Sequence, residues 1–150
     1  MKILVLSDNH HKDINLNIDE FDYVIHCGDC GYSYNLLRNQ NNALYVKGNC
    51  DFQGDKECSY YINNKKIFIT HGDLYNVKMH YNNLLYRALE VECNYCFFGH
   101  THRQDVFKKD NIIFINPGAY MDGYYVIIDD NYILQYKEDI IINKIKNKWW

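Results

Sequence analysis

Asp8, His10, Asp29, Asn49, His71, His100 and His102 are the residues of this 150-residue chain best suited to chemistry. Each carries a nitrogen or oxygen donor and follows a short apolar run. Gly28, Gly48, Gly72 or Gly99 stands beside four of the five segments that hold them. Glycine permits a sharp turn and lets the backbone come close to a small site. Any one of the four imidazoles alone reads as an ordinary core or surface histidine. The set reads differently, because only His11, His26 and His80 fall outside it. Four imidazoles, two carboxylates and one amide oxygen exceed what a four-coordinate ion needs, and suit two divalent ions that share a carboxylate. The donor types admit Mn2+, Fe2+, Ni2+, Zn2+ or Co2+.

The elements that must position these donors follow from the pattern of apolar residues. Segments 2–6, 23–26, 43–46 and 95–98 are short apolar runs, the pattern of buried strands, and each runs into a polar loop. Segment 32–42 reads as a modest helix, and 13–20 stays open between loop and poor helix. Segment 79–91 repeats Leu84, Leu85, Ala88, Leu89 and Val91 mainly at three- and four-residue spacing, which predicts an amphipathic core helix. Hairpins are expected for 58–62 with 66–70 about Asn63-Asn64-Lys65, for 104–109 with 112–115 about Asp110-Asn111, and for 124–128 with 132–136. Strands and helices alternating in front of hairpins imply an α/β domain, a mixed sheet or two stacked sheets flanked by helices. In such sheets ligands gather beyond the carboxyl ends of the strands, where the seven donors fall.

Composition narrows the classes of function. With 16 Lys+Arg against 19 Asp+Glu the net charge is −3, and the only arginines are Arg38, Arg87 and Arg103. That balance excludes a module relying on broad neutralisation of nucleic-acid phosphates. Apolar residues make up 47% of the chain, enough for one core, so a single domain spanning 1–150 is expected. The apolar stretch after Met1 is too short for a signal peptide and no run suits a membrane span, so the expected location is cytoplasmic with the six cysteines reduced.

The ordered segments Ser7-Asp8-Asn9-His10, Gly28-Asp29, Gly48-Asn49-Cys50-Asp51, Thr70-His71-Gly72, Gly99-His100-Thr101-His102 and Asn116-Pro117-Gly118 resemble the signature of the small calcineurin-like metallophosphoesterases of bacteria and archaea. One Gly-x-His motif is common, whereas these blocks in this order are specific. The resemblance implies a four-layered α/β/β/α sandwich of two stacked mixed sheets flanked by helices. It implies one ion held by Asp8, His10, Asp29 and His102, and a second by Asp29, Asn49, His71 and His100, with Asp29 as the bridge. Manganese is the metal it favours. The implied activity is a phosphoesterase, foremost a phosphodiesterase acting on a small phosphoester, in which a hydroxide held between the two ions attacks phosphorus in line with the leaving group. The alternatives are a phosphomonoesterase or nucleotide-polyphosphate hydrolase at the same site, or a protein-binding scaffold like the retromer subunit that resembles these enzymes.

The chain departs from the family pattern at three places. Many larger members follow the asparagine ligand with a histidine thought to assist the leaving group. This chain has Cys50, a weaker acid at neutral pH, which favours diesters with good leaving groups. His11 stands where relatives commonly place glycine, as a proton donor to substrate or as a surface residue. Asp73 replaces the second histidine of a His-Gly-His block, either orienting a ligand imidazole or capping a loop. Arg103 is a candidate phosphate contact or a solvent-facing strand residue. Cys27-x-x-Cys30 and Cys93-x-x-Cys96 have zinc-knuckle spacing, but the first pair encloses Asp29 and Cys96 sits in an apolar run, so small-hydrophobe roles are expected. The stretch 140–150, which alternates Ile, Lys and Asn before ending in Trp149-Trp150, predicts packing on a sheet edge or on a second copy of the chain, a homodimer.

Overall fold

Four short strands with unbroken apolar sequence set the architecture, because such strands are stable only when both faces are covered. The computed structural model describes residues 1–148; Trp149 and Trp150, and the packing expected of them, lie outside the described residues. In the first sheet, β1 (Ile3–Leu6), β2 (Tyr23–His26) and β3 (Ala43–Tyr45) run parallel. β9 (Tyr124–Ile128), β10 (Tyr132–Lys137) and β11 (Ile140–Lys146) extend it antiparallel from β1, giving the order β11-β10-β9-β1-β2-β3. The second sheet has the order β4 (Glu57–Ile62), β5 (Lys65–Thr70), β6 (Tyr95–Phe97), β8 (Ile112–Asn116), β7 (Asp105–Lys109). Its parallel centre is β5, β6 and β8, and its antiparallel edges are β4 and β7.

Three apolar cores make the four layers. Ile3, Val5 and Ile25 meet Ile67, Ile69, Tyr95, Phe97 and Ile115 between the sheets. On the outer face of the first sheet, Leu37 of α1 (Tyr34–Arg38) packs with Leu4, Leu6 and Val24. On the outer face of the second, Leu84 and Ala88 of α2 (Asn82–Val91) pack with Phe68, Cys96 and Phe114. Burying a side chain of this kind contributes about 1.5–3 kcal/mol. The order is therefore α/β/β/α, as the resemblance implies. Cys30 belongs to one outer core and Cys93 and Cys96 to the other, so the two spaced pairs serve as buried small hydrophobes in separate layers. Among the described residues no helix is long and apolar enough to cross a membrane.

Several boundaries differ from the sequence expectation for local reasons. The first helix stops at Arg38, where the run Asn39-Gln40-Asn41-Asn42 begins, because asparagine competes with helical hydrogen bonding; the Asn42 side chain donates to the Phe21 carbonyl at 2.8 Å. The second starts at Asn82 rather than 79, where the His80 ring accepts the Asn82 N–H. Segment 13–20 is mostly loop, with one 3-10 turn at Ile18–Glu20. Asn63-Asn64 and Asp110-Asn111 form two-residue hairpin turns with both residues at positive φ, and Lys65 joins its strand. The C-terminal segment forms a full edge strand, β11.

Candidate metal centre

The parallel strands of both sheets end at the same rim. β1 delivers Asp8 and His10, β2 delivers Asp29, β3 leads to Asn49, β5 to His71, and β6 to His100 and His102. The loops are tied to one another across the sandwich. Asp8 N–H donates to the Gly28 carbonyl and His10 N–H to the Asp29 carbonyl, each at 3.0 Å, and Gly99 N–H donates to the His71 carbonyl at 3.0 Å. His100 N–H donates to Asp8 Oδ2 at 3.1 Å, and Asn116 Nδ2 braces the Gly99 carbonyl and Thr101 Oγ1. All seven expected donors thus converge.

Their side chains form a nest of acceptors. Asp8 is fully buried and its Oδ1 makes no hydrogen bond, although His102 Nε2 lies 3.1 Å away and the Nε2 atoms of His10 and His71 each lie 3.8 Å away. Asp29 Oδ2 faces His71 Nε2 at 3.2 Å and His10 Nε2 at 3.9 Å. His71 Nδ1 donates to the Cys27 carbonyl at 2.7 Å, so the neutral ring turns the bare lone pair of Nε2 inward. That lone pair meets Asn49 Oδ1 at 3.1 Å and His100 Nδ1 at 3.2 Å. So many lone pairs with so few protons call for cations, and nitrogen and oxygen donors at these separations fit divalent metal ions. Asp8, His10 and His102 hold donor atoms within 4.8 Å of one another, as do Asp8, Asp29 and His71, and also His10, Asp29 and Cys50. The last group adds a thiol that the sequence reading placed only in acid catalysis.

The electrostatics of the protein without ions agree with this geometry. Burial raises the Asp29 pKa, but the hydrogen bond and charge of His71, the Cys50 N–H and His10 outweigh it and hold the carboxyl well below its usual range. Burial lowers the His71 pKa, but the hydrogen bond to Asp29 and the charges of Asp8 and Asp29 more than offset it, and the pKa rises. Burial, with the charges of His71 and Lys78, lowers the His100 pKa. Burial and the Asp29 carboxylate raise the Cys50 thiol. Asp73 opens a 3-10 turn and its charge acts on His100, too weakly to reverse that shift.

Backbone strain is the site's least legible feature. Asp8, His10, Asp29, His100 and His102 all adopt positive φ, between 47° and 69°. Non-glycine residues rarely sit there, and such strain is held only where surrounding structure fixes it. The glycines contribute close approach: a Cβ on Gly48 would lie 2.1 Å from Asp29 Oδ1, and one on Gly99 would lie 2.0 Å from Ser7 Oγ. Gly99→Ala is therefore expected to displace Asp8 and weaken Mn2+ binding at least about tenfold while the fold survives, as a clash forces local shifts. Calorimetric Mn2+ titration with circular dichroism checks this; unchanged affinity would contradict it.

Asp51, which closes the Gly48-Asn49-Cys50-Asp51 block, and His26 support the site in ways that spacing alone does not disclose. Asp51 Oδ2 accepts the N–H groups of Asp29 and Gly48, each at 2.8 Å, and of Cys30 at 3.3 Å, pinning the Asp29 loop to the Asn49 loop. His26 is fully buried; its Nδ1 accepts the Gly28 N–H at 3.1 Å, so its proton resides on Nε2 and is donated to Asn9 Oδ1 at 2.7 Å. Asn9 in turn donates to the Cys30 carbonyl and Ser33 Oγ. Burial pushes the His26 pKa down to about 4 from 6.5. The unfolded chain therefore binds more protons between those values, so the stability from a neutral His26 is complete above pH 6.5 and is lost as pH falls towards 4. The slope is up to about 1.4 kcal/mol per pH unit. Urea unfolding from pH 7 to 4.5 should show the stability gap between wild type and His26→Gln shrinking with acid; a constant gap would refute the assignment.

The chain is similar to several known proteins in sequence and fold. The chain is 35% identical over 131 residues to the probable metallophosphoesterase YsnB of Bacillus subtilis, spanning 79% of this chain and 75% of that one. A solved structure of a predicted phosphoesterase from Streptococcus pneumoniae superposes with a TM-score of 0.76 at 25% identity, covering 97% of both chains. Vps29 from Entamoeba histolytica complexed with zinc shares the fold, with a TM-score of 0.77, 21% identity and coverage of 97% and 99%. Residues 1–128 match the calcineurin-like phosphoesterase superfamily domain, and the chain belongs to that superfamily.

Proposed function

We propose that the chain is a metal-dependent phosphodiesterase using two divalent ions, with manganese as the working metal. The observation that carries this is Asp29, whose Oδ2 faces His10 on one side and His71 on the other. Asp8, His10, Asp29 and His102 would hold one ion, and Asp29, Asn49, His71 and His100 the other. When bound, such a pair supplies Lewis acidity to a phosphoryl group and a water-derived nucleophile near neutral pH. The protein's share is orientation. The Cys50 N–H fixes Asp29 Oδ1 at 2.9 Å, Ser7 Oγ and the His100 N–H fix Asp8 Oδ2, and the Cys27 carbonyl sets the His71 tautomer.

Proton delivery to the leaving oxygen falls to His11 and Cys50, which share one groove at the rim of the cluster. The raised Cys50 pKa keeps the thiol protonated but makes it a feeble acid, so His11 carries more of the role. Weak acid assistance suits diesters with good leaving groups better than alkyl monoesters. Metal-stripped protein with and without Mn2+ should cleave bis-p-nitrophenyl phosphate faster than p-nitrophenyl phosphate, and only with metal. Full activity after exhaustive stripping would overturn the reading, and faster monoester cleavage would make the protein a phosphatase.

A further inference from the structure

Of the cysteines among the described residues only Cys50 is exposed; Cys58 is half-buried and the other four are buried. Its sulfur lies at the edge of the metal centre, where Cys50 Sγ, a His10 ring nitrogen and an Asp29 carboxylate oxygen stand within 4.8 Å of one another. The backbone fixes this approach. Cys50 N–H donates to Asp29 Oδ1 at 2.9 Å, and Asp51 beside it accepts the Asp29 and Gly48 N–H groups, so the turn that carries the sulfur is tied to the loop that carries the carboxylate. Two buried polar atoms in the same place, His10 Nε2 and Asp8 Oδ1, lie 3.8 Å apart and have no hydrogen-bond partner among the described residues. Asn49 completes the surroundings. Its Oδ1 faces His71, and its Nδ2 donates to Cys50 Sγ at 3.7 Å, so the sulfur is held as an acceptor. An N–H aimed at a sulfur from outside the coordination shell orients it as a metal ligand.

Nitrogen and oxygen donors serve manganese and zinc alike, whereas sulfur discriminates, because thiolates prefer zinc and softer ions to manganese. We propose that Cys50 is a conditional metal ligand: a thiophilic divalent ion, Zn2+ foremost, is held by Cys50 Sγ together with His10 and Asp29, and Mn2+ is held without the sulfur. The assignment deepens the two-ion reading and rests on it for placing an ion at His10 and Asp29. Binding moves a sulfur lone pair to the ion and the S–H proton to water, with no change of oxidation state. The consequence is a difference in openness. A catalytic zinc keeps one position free of protein, and a structural zinc does not. With Asp8, His10, Asp29 and His102 already at that ion, the sulfur fills the position that water or substrate needs. Zinc therefore closes the centre that manganese leaves open, and the identity of the ion decides whether the protein turns over.

Cadmium is the spectroscopic probe, because a thiolate bound to Cd2+ absorbs in the ultraviolet and nitrogen or oxygen ligands do not produce that band. Cd2+ titrated into the metal-stripped full chain should give a sulfur-to-metal charge-transfer band that Cys50→Ser lacks and Cys58→Ser keeps, with circular dichroism showing that both variants fold. Calorimetry on the same proteins should find Zn2+ bound about tenfold or more weakly by Cys50→Ser than by wild type, and Mn2+ affinity changed by less than about twofold. Cadmium bound without the band, a band that survives Cys50→Ser, or equal losses of Zn2+ and Mn2+ affinity overturns the proposal. Manganese uptake separates that failure from failure of the two-ion reading. Wild type that binds Mn2+ but shows no sulfur band with Cd2+ loses only the thiol ligand. Wild type that binds no Mn2+ loses the two-ion reading whether or not the band appears.

Discussion

Asp29→Asn is expected to cut Mn2+-dependent hydrolysis of bis-p-nitrophenyl phosphate by about a thousandfold or more, at the upper end of what removing one preorganised charge contact costs. Asn keeps the shape and an oxygen for the Cys50 N–H, so the fold should survive while the negative charge between His10 and His71 is lost. The wild-type carboxyl is held well below the ordinary range by its neighbours, so it is charged at any working pH and nothing else replaces it. Cys50→Ala should behave differently. A nitrophenolate leaving group needs little protonation and the thiol is a weak acid, so this variant should keep activity within about tenfold of wild type. His11→Ala should lose more than Cys50→Ala, and the difference should shrink for the better leaving group in a series of aryl esters. Steady-state rates with metal content measured on the same samples decide the matter. An Asp29→Asn variant that turns over at the wild-type rate would remove Asp29 from the chemistry, and equal negligible losses at Cys50 and His11 would leave proton transfer to water.

Much of this arrangement is legible in the sequence for one physical reason. A parallel strand covered on both faces must be apolar throughout, so a run such as Ile3–Leu6 or Tyr95–Phe97 announces itself, and the polar residues immediately after it must sit at a strand end. That is why all seven donors could be gathered before their distances were known. The left-handed backbone at Asp8, His10, Asp29, His100 and His102 left little trace, because aspartate and histidine are only modestly enriched in that conformation and these positions are held by the surrounding loops. The roles of Asp51, the last residue of one motif block, and of His26 are illegible for a related reason: they act through backbone N–H groups and through Asn9, partners that spacing along the chain does not show. The stretch that forms β11 is legible as one bound for a sheet edge but not as a strand with a register, because its side chains are mostly exposed and mix Ile with Lys and Asn. Helix α1 ends earlier than its pattern suggests because Asn39, Asn41 and Asn42 compete with helical hydrogen bonding, and the bond from Asn42 to the Phe21 carbonyl ties down the chain beyond it.

Mn2+ at a hundredfold excess over its Kd should raise the melting temperature of the wild-type protein by about 5–10 °C, since that excess adds about 2.7 kcal/mol to a domain of this size. Asp8→Asn should uncouple this gain from the fold. In the protein without ions Asp8 Oδ1 is buried without a hydrogen bond, 3.1 Å from His102 Nε2. An amide NH2 at that position can donate to the imidazole, while its oxygen continues to accept from Ser7 Oγ and the His100 N–H. Asparagine also tolerates the positive φ of 52° at this position better than most residues. The variant should therefore melt at or above the wild-type temperature in EDTA and gain almost nothing from Mn2+. Scanning calorimetry of both proteins with EDTA and with Mn2+ gives all four values. A variant that melts well below wild type in EDTA would mean that the Asp8 charge serves the fold itself, and one that gains the full Mn2+ increment would mean that Asp8 holds no ion. The expected pattern is that of a site kept unfavourable in isolation so that metal binding completes it, a trade of stability for function. The same logic covers the strained backbone: the loops hold five donors in rarely populated conformations because no relaxed arrangement would aim them at one place.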